Sequence, residues 1–185
     1  MAAIFAFTCS CCEQVHEGSP SFGFAAPTPY TRLTEDEQSR IAELSEDLCV
    51  IRHPEGTQYF VRAILEVPIH GVEEPFLWGV WVSASASSFQ RYVDSYEHPP
   101  EDKGFFGWLS NHIGLYPTDQ SRPADVWIQT DGTRPQVVLH RSRDGTDSDA
   151  LVIDQHQGIS IARAQELAEQ AMHGQPSQRK TADGS

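Results

Sequence analysis

Residues 48–85 restrict the fold more than any other part of the chain, because β-branched and aromatic residues predominate in three consecutive segments there. Such segments are typical of β-strands, and the four residues "PEGT" between the first two predict a hairpin. Side chains alternate along a strand, so Trp78 and Trp81 in the third segment face opposite ways. The sequence therefore predicts a sheet covered on both faces. The segments are "LCVIRH" (48–53), "QYFVRAILEVPI" (58–69) and "PFLWGVWVSAS" (75–85).

The rest of the chain predicts helices around this sheet and a second hairpin. Thr34 and Glu37 form a capping-box pattern at the start of the first helix. There is no βαβ alternation and no glycine-rich phosphate loop, so we expect one α+β domain over residues 1–173 with a largely antiparallel sheet. A disordered tail is expected at 174–185. The predicted elements are helices at 33–44, 87–96 and 160–172, strands at 124–130 and 135–141 flanking a "DGTR" turn, a loop at 97–109 and a strand-like segment at 150–159.

The charge of the chain limits its partners. Its 185 residues include 13 Lys or Arg and 26 Asp or Glu, giving a net charge of −13, which disfavours nucleic acid and anionic membranes. No apolar run reaches the roughly 18 residues of a spanning helix, and the start lacks the basic segment of a secretory signal. We therefore expect a cytoplasmic protein with a protein partner. In that reducing compartment, close cysteines more often bind metals or carry out redox chemistry than form disulfides.

Three of the four cysteines lie in the stretch "FTCSCCEQVHEG", residues 7–18. Cys9 and Cys12 have the spacing by which a tight turn presents two thiolates to one tetrahedral ion, and His16 follows four residues later. Cys49, in the first predicted strand, is the remaining cysteine and a candidate fourth ligand. The sequence therefore predicts a structural Cys3His zinc site.

Two other interpretations of this stretch remain open. A single Cys-x2-Cys pair is a weak signal, and reduced cysteines also occur as small core residues, which suits Cys49. A thioredoxin-like redox pair would need a helix starting at its first cysteine, whereas this stretch soon reaches Gly18 and Pro20. If water were the fourth ligand, the site would be catalytic, with Glu13 or Glu17 as general base.

Three residues outside this stretch are candidates for a ligand or partner surface. Trp108 lies in "GFFGWL", where two glycines are interspersed with three aromatics, as in a loop that lines a pocket. Arg62 interrupts an apolar strand and needs an acidic partner such as Asp47 or Glu66, unless it binds an anionic ligand. His156, like His140, lies near a carboxylate but is accompanied by no nucleophile motif.

The order of several short motifs resembles that of DUF2199, a bacterial family of uncharacterised proteins. The resemblance implies the fold and the order of elements, provides matching residues at all four candidate ligand positions, and implies no activity. Two positions depart from the family: Glu13 stands where a glycine is usual, and "DALV", beginning at Asp149, stands where His-Pro-Leu-Ala is usual. The motifs are "CSCCEQVHEG", "DLCVI", "YFVRAILEVPI", "WGVWVS", "FGWL", "RP" (134–135) and "QHQGIS" (155–160).

Two functional hypotheses follow from these features. The first is a non-enzymatic protein with a zinc knuckle that acts through protein contacts, as an adaptor or as an immunity-type protein covering a basic surface. The second is an enzyme or small-ligand-binding protein with a pocket near Trp108, Arg62 and His156. Converging Arg and His groups in a pocket would favour the second, and an exposed acidic or aromatic face would favour the first.

Overall fold

A computed structural model describes residues 4–98, 100, 103–118, 120–129, 132–143 and 145–173. The tail expected at 174–185 lies outside these residues. The strands are β1 (Ala6–Thr8), β2 (Val15–Glu17), β3 (Ser21–Gly23), β4 (Ala42–Leu44), β5 (Leu48–His53), β6 (Gly56–Val67), β7 (Phe76–Ala84), β8 (Gly104–Trp108), β9 (Pro123–Trp127) and β10 (Gln136–Leu139). The helices are α1 (Thr28–Thr31), α2 (Glu35–Ile41), α3 (Ala86–Asp94), α4 (Ala150–Gln157) and α5 (Ile161–His173).

The long strand β6 organises the main sheet. Along one side it pairs with β7, and along the other its first half pairs with β5 and its second half with β10. The strand order is β3-β7-β6-β10-β9-β8, with β4 added to β5. Among the strands of the described chain, only the β3–β7 and β6–β10 pairs are parallel. The α+β fold and the largely antiparallel sheet are therefore confirmed, as are the first predicted hairpin and the antiparallel pairing of the two strands of the second. Asp131, the first residue of the predicted "DGTR" turn, lies outside the described residues.

The far end of this sheet curls back onto β7. Residues Val82 and Leu109 form a bridge, and the Ser110 N–H donates to the Trp81 carbonyl at 2.7 Å. Gly107 allows this contact, because a Cβ there would overlap the Ser83 carbonyl oxygen. The strands β7, β6, β10, β9 and β8 therefore form a partly closed barrel.

The two faces of the sheet contact separate cores, as the alternation of Trp78 and Trp81 predicts. Trp78 lies in the larger core, with alternate residues of β6 and with Leu151 and Leu167 from α4 and α5. Trp81 lies in the smaller core, against which residues from α1 and α2 pack. Both tryptophans are buried, so both faces are covered.

The helices agree with the sequence expectations except at two places. The first predicted helix, at 33–44, ends at Ile41, because Ala42–Leu44 turn to the extended conformation and form strand β4 against β5. The capping box of Thr34 and Glu37 is present at the start of α2, and α3 and α5 lie where helices are predicted. The strand-like segment at 150–159 is instead the helix α4. Its N-cap is Asp149, whose carboxylate accepts from the Leu151 N–H at 2.9 Å. None of the helices in the described ranges is long and apolar enough to cross a membrane.

The segment expected to be a loop at 97–109 contains the strand β8. Phe105 is buried against the core, while Phe106 and Trp108 alternate with it and face outward. The aromatic residues therefore form a strand with one buried and one exposed face, which pairs with β9.

Candidate metal centre

A small hairpin presents the N-terminal cysteines. The strands β1 and β2 pair antiparallel, with Phe7 opposite His16, and the connecting turn is closed by a hydrogen bond from the Cys9 N–H to the Gln14 carbonyl at 2.8 Å. Phe7 is buried in the larger core and stacks on the His16 ring with centroids 5.3 Å apart. The hairpin is thus fixed to the domain by its aromatic residues.

The turn requires one residue in the left-handed region. Glu13 has a φ of 59°, and no other non-glycine residue in the described chain has a positive φ. A residue with a Cβ pays roughly 1–2 kcal/mol in this conformation, whereas glycine adopts it without that penalty. The glycine that the resemblance to DUF2199 leads us to expect at this position would avoid that penalty.

The turn brings Cys9, Cys12 and His16 together. Their ligand atoms all lie within 4.8 Å of one another, and Cys12 Sγ is 3.6 Å from His16 Nε2. Cys9 is buried, Cys12 is exposed and His16 is half-buried. These three side chains form a group that could hold a metal ion.

A second group shares Cys9 with the first and includes Cys11 and His173. His173 comes from the last turn of α5, and its Nε2 lies 3.1 Å from Cys9 Sγ. The sequence expectations missed this residue, since no spacing rule connects it to a cysteine pair 161 residues upstream. The available signal is a polar stripe of Gln165, Glu169 and His173 at intervals of four on the final helix.

Two polar residues of α5 bind the same turn. The Glu169 carboxylate accepts hydrogen bonds from the Ser10 N–H and from the Ser10 hydroxyl, both at 2.7 Å. The backbone bond is the largest of the effects that lower the pKa of Glu169. Gln165 donates to the Thr8 carbonyl at 3.2 Å. Three successive turns of α5 therefore contact the cysteine hairpin.

The environment of Cys9 favours its thiolate. Burial raises the pKa of this thiol, but hydrogen bonds from the backbone of Cys12 and Cys11 outweigh burial, with further contributions from the Cys12 thiol and the His173 ring. The pKa falls from 9.0 to about 6. The thiolate is the form that ligates metals.

Cys49 does not belong to either group, which corrects the expected Cys3His ligand set. It is fully buried in the smaller core with Ile51, Phe60 and Trp81. Burial raises its pKa to about 12, so its thiol is neutral at ordinary pH. Cys49 and Ile51 share one face of β5, and the hydrophobic alternation of that strand turns the thiol into the core.

Arg62 does not form the ion pair expected for it. Asp47 binds Arg134 at 2.6 Å, and Glu66 accepts from Gln136 at 3.0 Å. The Arg62 guanidinium donates to the Glu46 carbonyl at 3.3 Å, and its buried Nε has no partner among the described residues.

In the described part of the chain, the groove beside Trp108 does not bring together the three residues of the expected pocket. This groove of about 360 Å3 is lined by Arg122, His140 and Asp149 among others, but neither Arg62 nor His156 lines it. His156 Nε2 donates to the Leu139 carbonyl at 2.7 Å, which gives it a structural partner.

Three large aromatic side chains are exposed on the outer surface of β8 and β9. Phe106, Trp108 and Trp127 are 48%, 44% and 46% exposed, and the first two rings pack edge to face. Asp125, opposite Phe106 on β9, lies 3.0 Å from His140 Nε2. We call Phe106, Trp108 and Trp127 the aromatic face.

The fold and the site define an α+β domain whose N-terminal hairpin carries Cys/His groups that could hold a metal ion. The chain belongs to the DUF2199 family, described as "Uncharacterized protein conserved in bacteria", whose sequence profile matches residues 8–159. The match begins at the last residue of β1, includes Cys9, Cys12 and His16, and ends before α5 and His173. No curated protein and no solved structure matches the chain.

Proposed function

We propose that this domain binds one zinc ion through Cys9, Cys12 and His16 as a structural site, and that it acts through contacts with other proteins. The observation that carries the zinc site is the convergence of two thiols and one imidazole within 4.8 Å on one tight turn. Thiolate and imidazole together are a donor set that zinc prefers.

The spacing of the donors supports this metal. Bond lengths and tetrahedral angles at zinc place a sulfur and a nitrogen ligand about 3.5 Å apart. The separation of Cys12 Sγ and His16 Nε2 is 3.6 Å. Cys11 and His173 both lie within reach of Cys9, so a fourth protein donor is available and water is not needed. A site closed by four protein ligands stabilises the fold and performs no chemistry.

Purified, untagged protein is expected to contain one zinc ion per chain by elemental analysis, and to melt at a lower temperature once a chelator removes it. Cys12→Ser should lose the zinc, because it removes one of the three donors. Cys49→Ala is the matched control: it removes a buried thiol outside the group and should keep the zinc despite a lower melting temperature. Metal-free wild-type protein, or full zinc content in Cys12→Ser, would contradict the proposal.

For the protein contact, the aromatic face suits a basic partner. Exposed Trp and Phe rings attract the cationic groups of Arg and Lys, and Asp125 adds a carboxylate beside them. The net charge of −13 attracts the same partner at longer range. An adaptor or immunity-type role, in which the domain covers a basic protein surface, would use this face.

A fluorescent arginine-rich peptide tests this face. Phe106→Ala combined with Trp127→Ala should weaken peptide binding about tenfold, because each cation–π contact contributes about 0.5–1 kcal/mol. Tyr96→Ala is the matched control, since Tyr96 is an aromatic residue that is 59% exposed outside the aromatic face. All variants should melt close to wild type. Equal binding by the double variant, or an equal loss in the control, would contradict the aromatic face as the contact site.

A further inference from the structure

We infer that His173 is the fourth ligand of the zinc ion, so that metal binding fastens the last helix to the N-terminal hairpin and controls how firmly that helix is held. This inference rests on the proposed zinc site. It gives a role to helix α5, which lies outside the residues matched by the family profile.

The contacts of α5 support this assignment. His173 Nε2 lies 3.1 Å from Cys9 Sγ, the thiol that the two Cys/His groups share. One turn earlier, Glu169 binds both the N–H and the hydroxyl of Ser10. One turn before that, Gln165 reaches the Thr8 carbonyl. Helix α5 is therefore already aligned on the residues that flank Cys9, with an imidazole at its end.

Cys11 is the competing donor, and its geometry favours another role. Its backbone N–H donates to Cys9 Sγ at 3.4 Å, a contact that supports the thiolate from outside the ligand set. Its own thiol is exposed and approaches the Ser10 hydroxyl at 4.0 Å. Cys11 therefore already contacts Cys9 through its backbone, and we assign the fourth position to His173, whose Nε2 lies 3.1 Å from Cys9 Sγ.

The placement of His173 explains how the ion would act on the helix. The two groups share Cys9, and His173 is exposed in the last turn of α5, so its ring can turn toward an ion bound at Cys9. Without the ion, this end of the helix is attached to the hairpin mainly by the exposed hydrogen bonds of Ser10 and Gln165. Exposed hydrogen bonds open readily, whereas a metal ligand holds the last turn closed.

The test is a competition titration of zinc against a chromogenic chelator. His173→Ala should bind zinc at least tenfold more weakly than wild type, since even the loss of a residue that only hydrogen-bonds to a ligand weakens metal sites about 10–100-fold. Cys11→Ser should bind zinc as wild type does. His98→Ala, which removes an exposed histidine outside both groups, is the matched control and should also bind normally.

Hydrogen exchange provides the second readout. Zinc should slow amide exchange in the last two turns of α5 in wild type and in Cys11→Ser, but not in His173→Ala. Tight zinc binding by His173→Ala, or loss of affinity in Cys11→Ser instead, would overturn the assignment of His173 while leaving the zinc site intact. Two zinc ions per chain would also overturn it, because each group would then hold its own ion. Absence of zinc from wild type would overturn the site itself.

Discussion

Replacing Arg122 with methionine is expected to lower the free energy of unfolding by about 3 kcal/mol, because it removes one partner of a buried ion pair and leaves the other charged. Arg122 is 6% exposed and binds both carboxylate oxygens of Asp149, at 2.7 and 3.1 Å. It also donates to the Tyr116 carbonyl at 2.8 Å. Methionine fills the space of the side-chain stem but leaves Asp149 and this carbonyl without their partner.

Urea unfolding of a double-mutant cycle measures this contribution. Asp149→Asn retains a side-chain oxygen that can cap α4 and removes the charge, so it isolates the ion pair from the cap. The double variant should recover part of the loss of Arg122→Met, since no uncompensated charge then remains. The pair would contribute little if the double variant lost as much free energy of unfolding as the two single variants together. A loss below about 1 kcal/mol for Arg122→Met would show the same.

Gly107→Ala is expected to destabilise the domain by about 3 kcal/mol, at the upper end of the range for overpacking. The added methyl group would overlap the Ser83 carbonyl oxygen and lie 2.6 Å from a methyl carbon of Val82. The first of these atoms belongs to the backbone, so it cannot rotate away. The strand β8 would have to move off β7, which opens the bridge between Val82 and Leu109.

Gly114→Ala is the matched control for this substitution. Gly114 has no heavy atom within 4 Å of the added Cβ and no positive φ. Its replacement should leave stability unchanged or raise it slightly, because alanine restricts the unfolded chain. Thermal or urea unfolding compares the two variants. Equal stability of Gly107→Ala and Gly114→Ala would contradict the barrel closure as described.

The sheet could be predicted where the pattern of a segment is simple. In β5, β6 and β7, β-branched and aromatic residues follow one another over long runs, and tertiary packing agrees with that local preference. The helix α4 could not be predicted in the same way, because "ALVIDQHQ" is short and contains Val152 and Ile153, which favour strands. Its useful signal is Asp149, an N-cap residue directly before the apolar stretch.

The candidate site was predictable only within its local turn. The Cys-x2-Cys spacing and His16 lie within eight residues, so the backbone of one hairpin brings them together. His173 reaches the hairpin only because α5 packs through Ala164, Leu167 and Ala168 onto the larger core, and no spacing in the sequence expresses that packing. The sequence offers Cys49 as fourth ligand only because it is the remaining cysteine, and the alternation of β5 directs it into the smaller core instead.

The contact of α5 with the cysteine hairpin has a consequence for protein engineering. Ser10 and Glu169 touch although they lie 159 positions apart, so the described chain enters and leaves the domain at nearly the same point. Domains with this geometry can be inserted into a loop of a host protein without moving the two ends of that loop apart.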